Sequence, residues 1–158
     1  MKLSNGIEWV LHCCVTLSQA QDPVPAQRLA ELHDIPPAYL AKHLQALSRA
    51  GVVHSSQGQD GGYGLTRSPQ EISVLDVVVA IDGSGEFFRC TEIRKRGPLA
   101  TTPERCTTRC SIARAMANAE LAWREALSKI TIADLAANID ADSGGTALGD
   151  VREWLKAH

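Results

Sequence analysis

The sequence predicts a mainly α protein with a small β-hairpin wing: a winged helix-turn-helix followed by a long dimerisation helix. Three observations carry this. Two short helical patterns are joined by a tight turn. A glycine-rich hairpin pattern follows them directly. An Ala-rich helical pattern then runs for more than twenty residues.

Ser4 is placed to cap a first helix over residues 5–20, in which Ile7, Leu11, Cys14, Val15 and Ser18 recur at helical spacing. Asp22-Pro23-Val24-Pro25 ends it, because two prolines cannot continue a helix. A second helix follows over 25–32, with Leu29, Leu32 and Ile35 turned inward. Asp34-Ile35-Pro36-Pro37 turns into a third over 37–50, with Leu40, Leu44 and Leu47 as its buried stripe and Gly51 as its stop. Residues 52–56 and 63–66 read as strands around the turn Gln57-Gly58-Gln59-Asp60-Gly61-Gly62. Ile72, Val74, Val77 and Val78 suggest a small helix closing this part near Gly83. Thr102-Pro103-Glu104 has the residues of a helix start. From there Ile112, Met116, Ala119, Trp123 and Leu127 carry one long helix to about residue 130. Thr131-Ile132-Ala133-Asp134-Leu135 opens another, Asp140–Asp150 reads as mobile, and Val151–Lys156 as a last helical turn or two in a flexible tail. The expected boundaries are therefore 1–83 for the winged helix-turn-helix, 84–102 for a basic loop, 103–138 for the long helix and its short successor, and 139–158 for the tail.

The 158 residues are 44% hydrophobic and 22% charged, a globular composition that excludes disorder as the main description. No apolar run approaches the ~20 residues of a membrane helix, and no secretory leader is evident, so a cytoplasmic protein is expected. Net charge is −2, but it is unevenly sorted: residues 89–114 hold seven basic side chains against two acidic ones. Such sorting leaves a nucleic-acid partner open. Five cysteines, Cys13, Cys14, Cys90, Cys106 and Cys110, favour metal or redox chemistry over disulfides in a reducing compartment. No phosphate loop, dinucleotide fingerprint or nucleophile motif points to an enzyme.

The winged helix-turn-helix, the wing Gly61-Gly62-Tyr63-Gly64-Leu65, the run Pro69…Ile72…Val74…Asp76-Val77, the cysteine-bearing loop and the Thr131–Leu135 element together resemble the iron–sulfur winged-helix transcription regulators of the IscR/NsrR-like family. The resemblance spans about residues 1–138. It implies a homodimer that binds double-stranded operator DNA and carries an iron–sulfur cluster. The family's three evenly spaced cysteines are not reproduced: the spacing is Cys90-x15-Cys106-x3-Cys110, and Ala113 stands where housekeeping members have a ligating His. Cys110 and Cys90 fit the third and first positions. Cys106 falls too close to Cys110, inside the expected helix. Some relatives use an acidic residue at the position of Glu8, supplied by the partner subunit. His12 follows Glu8 at i+4, about 6 Å away on one helix face. The resemblance therefore implies a [2Fe–2S] cluster on Cys90, Cys110, Glu8 and His12, with oxidation state modulating operator affinity.

Alternatives stand beside each assignment. Glu8 and His12 also fit a plain surface pair. Cys90, Cys106, Cys110 and His12 would suit tetrahedral zinc, and metal-free thiol oxidation would also make a sensor. Cluster loss or nitric-oxide response would use the same fold. Cys14 is expected in the core and Cys13 as a bystander. Trp9 is either core or a movable shield over the cluster. Tyr39, Lys42, His43 and Gln45 lie off the buried face of the third helix and are the candidates for the major groove. Ser55, Ser56, Gln57 and Gln59 are placed to enter the minor groove, with Arg67 or Arg49 on the backbone. The run Arg94-Lys95-Arg96 suits a solvated face or a DNA contact equally.

Overall fold

The computed structural model describes residues 3–58 and 60–157. The chain order is α1 (Gly6–Leu17), α2 (Ala26–Leu32), α3 (Pro37–Arg49), β1 (Val53–Ser56), β2 (Gly62–Leu65), α4 (Val74–Asp82), α5 (Ser111–Ser128), α6 (Ile132–Asp142) and α7 (Ala147–Ala157). It falls into two compact bodies: residues 84–126, and residues 3–83 together with 127–157. The fold class expected from the sequence holds: mostly helix, with one two-stranded antiparallel hairpin as the wing.

The larger body is built around α1. Its residues Cys13, Cys14, Val15, Thr16 and Leu17 are all buried, as are Ile7 and Val10. Five consecutive buried residues exceed one stripe, so this half of the helix is enclosed by its neighbours. Two sequence expectations are corrected here. Cys13 is fully buried core. Ser4 is no side-chain cap: α1 starts after Asn5 without one, and the Ser4 backbone N–H instead donates to Asp82 Oδ2 at 3.1 Å. Leu40, Leu44 and Leu47 of α3 are fully buried against this core, as predicted. Each such side chain contributes roughly 1.5–3 kcal/mol by leaving water.

The hairpin pairs Val53 with Leu65 and Ser56 with Gly62. Val24 zips onto its second strand: Val24 N–H donates to the Tyr63 carbonyl at 2.9 Å, and Tyr63 N–H donates back at 2.8 Å. The approach is so close that a Cβ on Gly62 would lie 2.4 Å from the Val24 carbonyl carbon. Two reciprocal caps close the body. Ser73 and Asp76 cap α4, and Thr131 and Asp134 cap α6. Main-chain bonds stitch the two starts together: Val74 N–H to the Ile130 carbonyl at 2.8 Å, and Ile132 N–H to the Ile72 carbonyl at 2.9 Å.

The expected mobile tail is helical over most of its length. After Gly144-Gly145, both at positive φ, the chain turns into α7. Arg28 of α2 holds it: its Nη2 donates to the carbonyls of Trp154 at 3.3 Å and Leu155 at 3.0 Å, and its guanidinium sits 4.9 Å over the Trp154 ring. The anchor is a cation at a helix C-terminus, a pairing that apolar periodicity does not reveal.

In the smaller body the long helix starts later than predicted. Pro103–Arg105 makes one 3-10 turn, the chain leaves helical geometry at Cys106, and α5 begins at Ser111. The start signal at Thr102 is followed by Pro-Glu-Arg-Cys-Thr-Thr-Arg-Cys, which offers no apolar stripe to bury, so the nucleus does not propagate. Cys106 therefore lies in the loop. The loop is fastened to α5 by Phe87, whose ring meets Trp123 edge-on at 4.9 Å and whose N–H donates to Glu120 Oε2 at 3.0 Å. Arg124 pairs with Glu120 at 2.8 Å and reaches the Ser84 and Gly85 carbonyls.

Gly62→Ala is expected to destabilise the protein by about 1–3 kcal/mol, because backbone must move to admit the methyl. Gly149→Ala, in α7 with nothing near the added Cβ, is expected to stabilise by ~0.5–1 kcal/mol. Urea denaturation of both variants checks the pair.

Candidate metal centre and nucleic-acid interface

The residues predicted to read DNA lie on α3 and the wing. Tyr39 is 63% exposed, and Lys42 and Gln45 are exposed beside it. His43 is only half-buried in solvent terms, because its ring packs against the Gly6 backbone and meets Trp9 edge-on at 6.1 Å. Ser55, Ser56 and Gln57 are exposed on the wing, where Ser56 Oγ also accepts from the Gly62 N–H at 3.2 Å. Gln59 lies outside the described residues. Arg67 and Arg49 are exposed, and Arg67 stands 3.8 Å from Asp76.

Helix α1 presents two working sides. On one, the exposed Glu8 and His12 line a groove of about 540 Å³ with Ile7, Leu11, Leu135 and Ile139. The His12 ring lies 5.8 Å from that of His33, which in turn pairs through Nε2 with Thr16 Oγ1 at 3.0 Å. Burial, and secondarily the neighbouring His12, lower the pKa of His33. On the other side, Trp9 meets Tyr39 edge-on at 6.2 Å as well as His43, so it touches the recognition helix directly.

Cys90, Cys106 and Cys110 are half-buried free thiols of the smaller body. Cys110 precedes the first residue of α5. The backbone N–H groups of Ala113 and Ile112 point at its sulfur and hold its pKa below the usual thiol range, helped by Cys90 and by the charge of Arg94. The influence of Cys90 on Cys110 brings these two thiols into one neighbourhood. Cys106 instead directs its thiol to the Thr101 carbonyl at 4.0 Å. The helix boundary at Ser111, which gives Cys110 its special position, was the feature the sequence pattern concealed. Cys13 and Cys14 are of another kind. Burial pushes Cys13 up to about 12 and raises Cys14 further, so neither offers a thiolate.

Among the described residues, no three His, Cys, Asp or Glu side chains converge as a metal site. The candidate ligands come as pairs, one of thiols in the smaller body and one of carboxylate and imidazole in the larger. Each pair by itself offers two donors: two thiols in the smaller body, that of Cys110 with a lowered pKa, and an exposed carboxylate and imidazole in the larger. No helix among the described residues is long and apolar enough to cross a membrane.

An exposed recognition helix, a wing pinned to the start of α2 and a separate helical body define a winged-helix DNA-binding transcriptional regulator. Residues 3–138 match the Rrf2 family model, described as an iron-dependent transcriptional regulator, and the chain belongs to that family. It is 28% identical over 152 residues to the HTH-type transcriptional repressor NsrR of Streptomyces coelicolor, covering 94% of this chain and 95% of that one. Among solved structures, T. potens IscR aligns with a TM-score of 0.66 at 23% identity, over 90% of each chain. CymR, titled the global cysteine regulator of B. subtilis, aligns at 0.64 and 22%, over 87% of this chain and 98% of that one. These two share the fold. The relatives are named as regulators, and no enzymatic family is indicated.

At neutral pH, iodoacetamide should alkylate Cys110 of the metal-free native protein ahead of Cys13 and Cys14, and the Cys110 rate should persist as pH falls below the ordinary thiol range. Peptide mass mapping reads the order. Early labelling of Cys14 in folded protein would contradict its burial.

Proposed function

We propose that this regulator is a homodimer whose operator affinity follows the oxidation state of a [2Fe–2S] cluster, held by Cys90 and Cys110 of one subunit and Glu8 and His12 of the other. The observation that carries this is the pairing of ligands. Cys90 and Cys110 lie in one loop region, Glu8 and His12 line one groove, and no third donor joins either pair among the described residues, so each pair would supply half of a four-ligand set. The family description, and relatives named IscR and NsrR, support iron as the metal. The dimer is supported by α5, where Ile112 is 62% and Met116 43% exposed on one apolar stripe.

When bound, the group supplies a reversible one-electron change of charge. Cys90 and Cys110 would hold one iron as thiolates. Glu8 and His12 would hold the other, and imidazole in place of thiolate reduces negative charge and favours a raised potential. One unit charge at ~8 Å and an effective dielectric of ~20 interacts by roughly 2 kcal/mol, within the range of typical allosteric couplings. Helix α1 would transmit the change. Glu8 and His12 sit on it, and one residue from Glu8 Trp9 bears on Tyr39 and His43 of the recognition helix. In this arrangement Trp9 is a contact between site and reader, not a cover over the group, because it faces Tyr39 and His43 on the other side of α1 from Glu8 and His12.

Anaerobic purification with absorption and electron paramagnetic resonance spectra tests the assignment. Protein that is red-brown with a mixed-ligand signal is expected; colourless protein with stoichiometric zinc would overturn it. His12→Ala and Glu8→Ala should perturb or release the cluster while the dimer stays folded, whereas Cys106→Ala keeps the normal spectrum. Oxidised and reduced protein should differ in operator affinity by about ten-fold or more, the equivalent of ~1.4 kcal/mol. On the DNA side, Lys42→Ala should lower the salt slope of binding by about one unit if Lys42 meets phosphate, while Tyr39→Ala relaxes sequence preference.

A further inference from the structure

The basic run Arg94-Lys95-Arg96 is not uniform. Lys95 and Arg96 are exposed, whereas Arg94 is half-buried and turned into the cysteine loop. Its bonds join three segments. Nε donates to Glu92 Oε2 at 2.7 Å and Nη2 to Glu92 Oε1 at 3.4 Å, a two-point grip on one carboxylate. Nη2 also donates to the Thr108 carbonyl at 2.6 Å, two residues before Cys110. The Arg94 carbonyl accepts from the Thr101 N–H at 2.8 Å. Glu92 is itself bound to the first cysteine. It adopts a left-handed backbone, φ 51°, that turns its N–H onto Cys90 Sγ at 3.4 Å. That conformation is costly for a residue with a Cβ and persists only where surrounding bonds enforce it. The chain of contacts therefore runs from Cys90 through Glu92 and Arg94 to the loop segment that carries Cys110.

We propose that Arg94 is the positioning residue of the Cys90–Cys110 pair: it clamps the two cysteine-bearing segments together and keeps a permanent positive charge near Cys110. The inference rests on the cluster assignment above for its electrostatic half and on the hydrogen bonds alone for its mechanical half. Arginine suits both tasks, because its planar fork spans a carboxylate and a carbonyl at once and never loses its charge. Removing that charge leaves Glu92 uncompensated beside Cys90, which disfavours the extra electron of a reduced cluster. The sign is fixed: the midpoint potential falls when Arg94 is neutralised.

The test compares wild type, Arg94→Gln and Arg94→Lys as anaerobically purified full-length dimers. Potentiometric titration followed by visible absorption reads the potential, and limited proteolysis of the metal-free proteins reads the loop. Arg94→Gln should shift the midpoint to lower potential and speed cleavage between residues 90 and 110. Arg94→Lys should keep most of the potential but still speed cleavage, since an ammonium lacks the planar fork that grips Glu92 at two points while reaching Thr108. A cluster-bearing Arg94→Gln protein with unchanged potential overturns the charge role. Unchanged cleavage in Arg94→Gln overturns the clamp. Wild-type protein that takes up no iron defeats the cluster assignment and the charge role with it, and the proteolysis still decides the clamp.

Discussion

The burial of α1 governs the rest of the DNA-binding body. Residues 13–17 are enclosed on all sides, so the helix is fixed to the core by several side chains, each worth roughly 1.5–3 kcal/mol. A coupling of ~1–3 kcal/mol between site and DNA is too small to unwind it. The helix moves as a unit or not at all, and its exposed residues share that fate. Glu8 and His12 line the groove, while Gly6 and Trp9 bear on α3. Gly6 matters because the His43 ring occupies the space where a Cβ would stand, 2.4 Å away. A displacement felt at Glu8 or His12 thus reaches the recognition helix through direct van der Waals contact, without a long relay.

The cysteine body is built on a different principle. Residues 84–110 bury little apolar surface, and their shape is held by charged side chains bonding to backbone: Arg94 to Thr108, Arg96 to Thr91, and Arg124 to Ser84 and Gly85. Partly exposed ionic contacts are individually weak, and such a loop sits at the low-stability end of the fold. Under the proposed function, that softness would serve a segment that accepts an inorganic group and responds to its charge. Cys110 is the exception. As the residue leading into α5 it is fixed by helix N–H groups, giving the loop one rigid donor.

What could be read from the sequence, and what could not, follows from which forces leave a periodic trace. The Leu40, Leu44 and Leu47 stripe, the wing glycines and the Thr131–Asp134 cap are short-range patterns, and each appears in the fold where periodicity and capping rules put it. Helix α7 is longer than the last turn or two expected at Val151–Lys156, and its anchor was hidden because it is Arg28, more than a hundred residues away, bonding to helix-end carbonyls. The helix signal at Thr102 does not start α5, because Thr102 makes no side-chain cap and no apolar face follows it. A single buried stripe would leave Cys13 a bystander, whereas α1 is enclosed along half its length and buries it. His43 falls on the exposed side of α3 by spacing alone; only the missing Cβ of Gly6 lets its ring turn back toward α1. For the site, the four ligand candidates and their division into a thiol pair and a carboxylate–imidazole pair were legible through family likeness and helical spacing, whereas the place of Cys110 just before the first residue of α5 became visible only in three dimensions.

The central claim is that the two pairs are joined across subunits, and a mixed dimer tests it directly. One subunit carries Cys90→Ala and Cys110→Ala, the other Glu8→Ala and His12→Ala, and each bears a different affinity tag so that only the heterodimer is purified. Cross-subunit ligation leaves one complete set in this dimer, so iron and sulfide analysis should give half the wild-type cluster content, while each parent homodimer gives none. A heterodimer as empty as its parents would contradict the account and put all four ligands within a single chain.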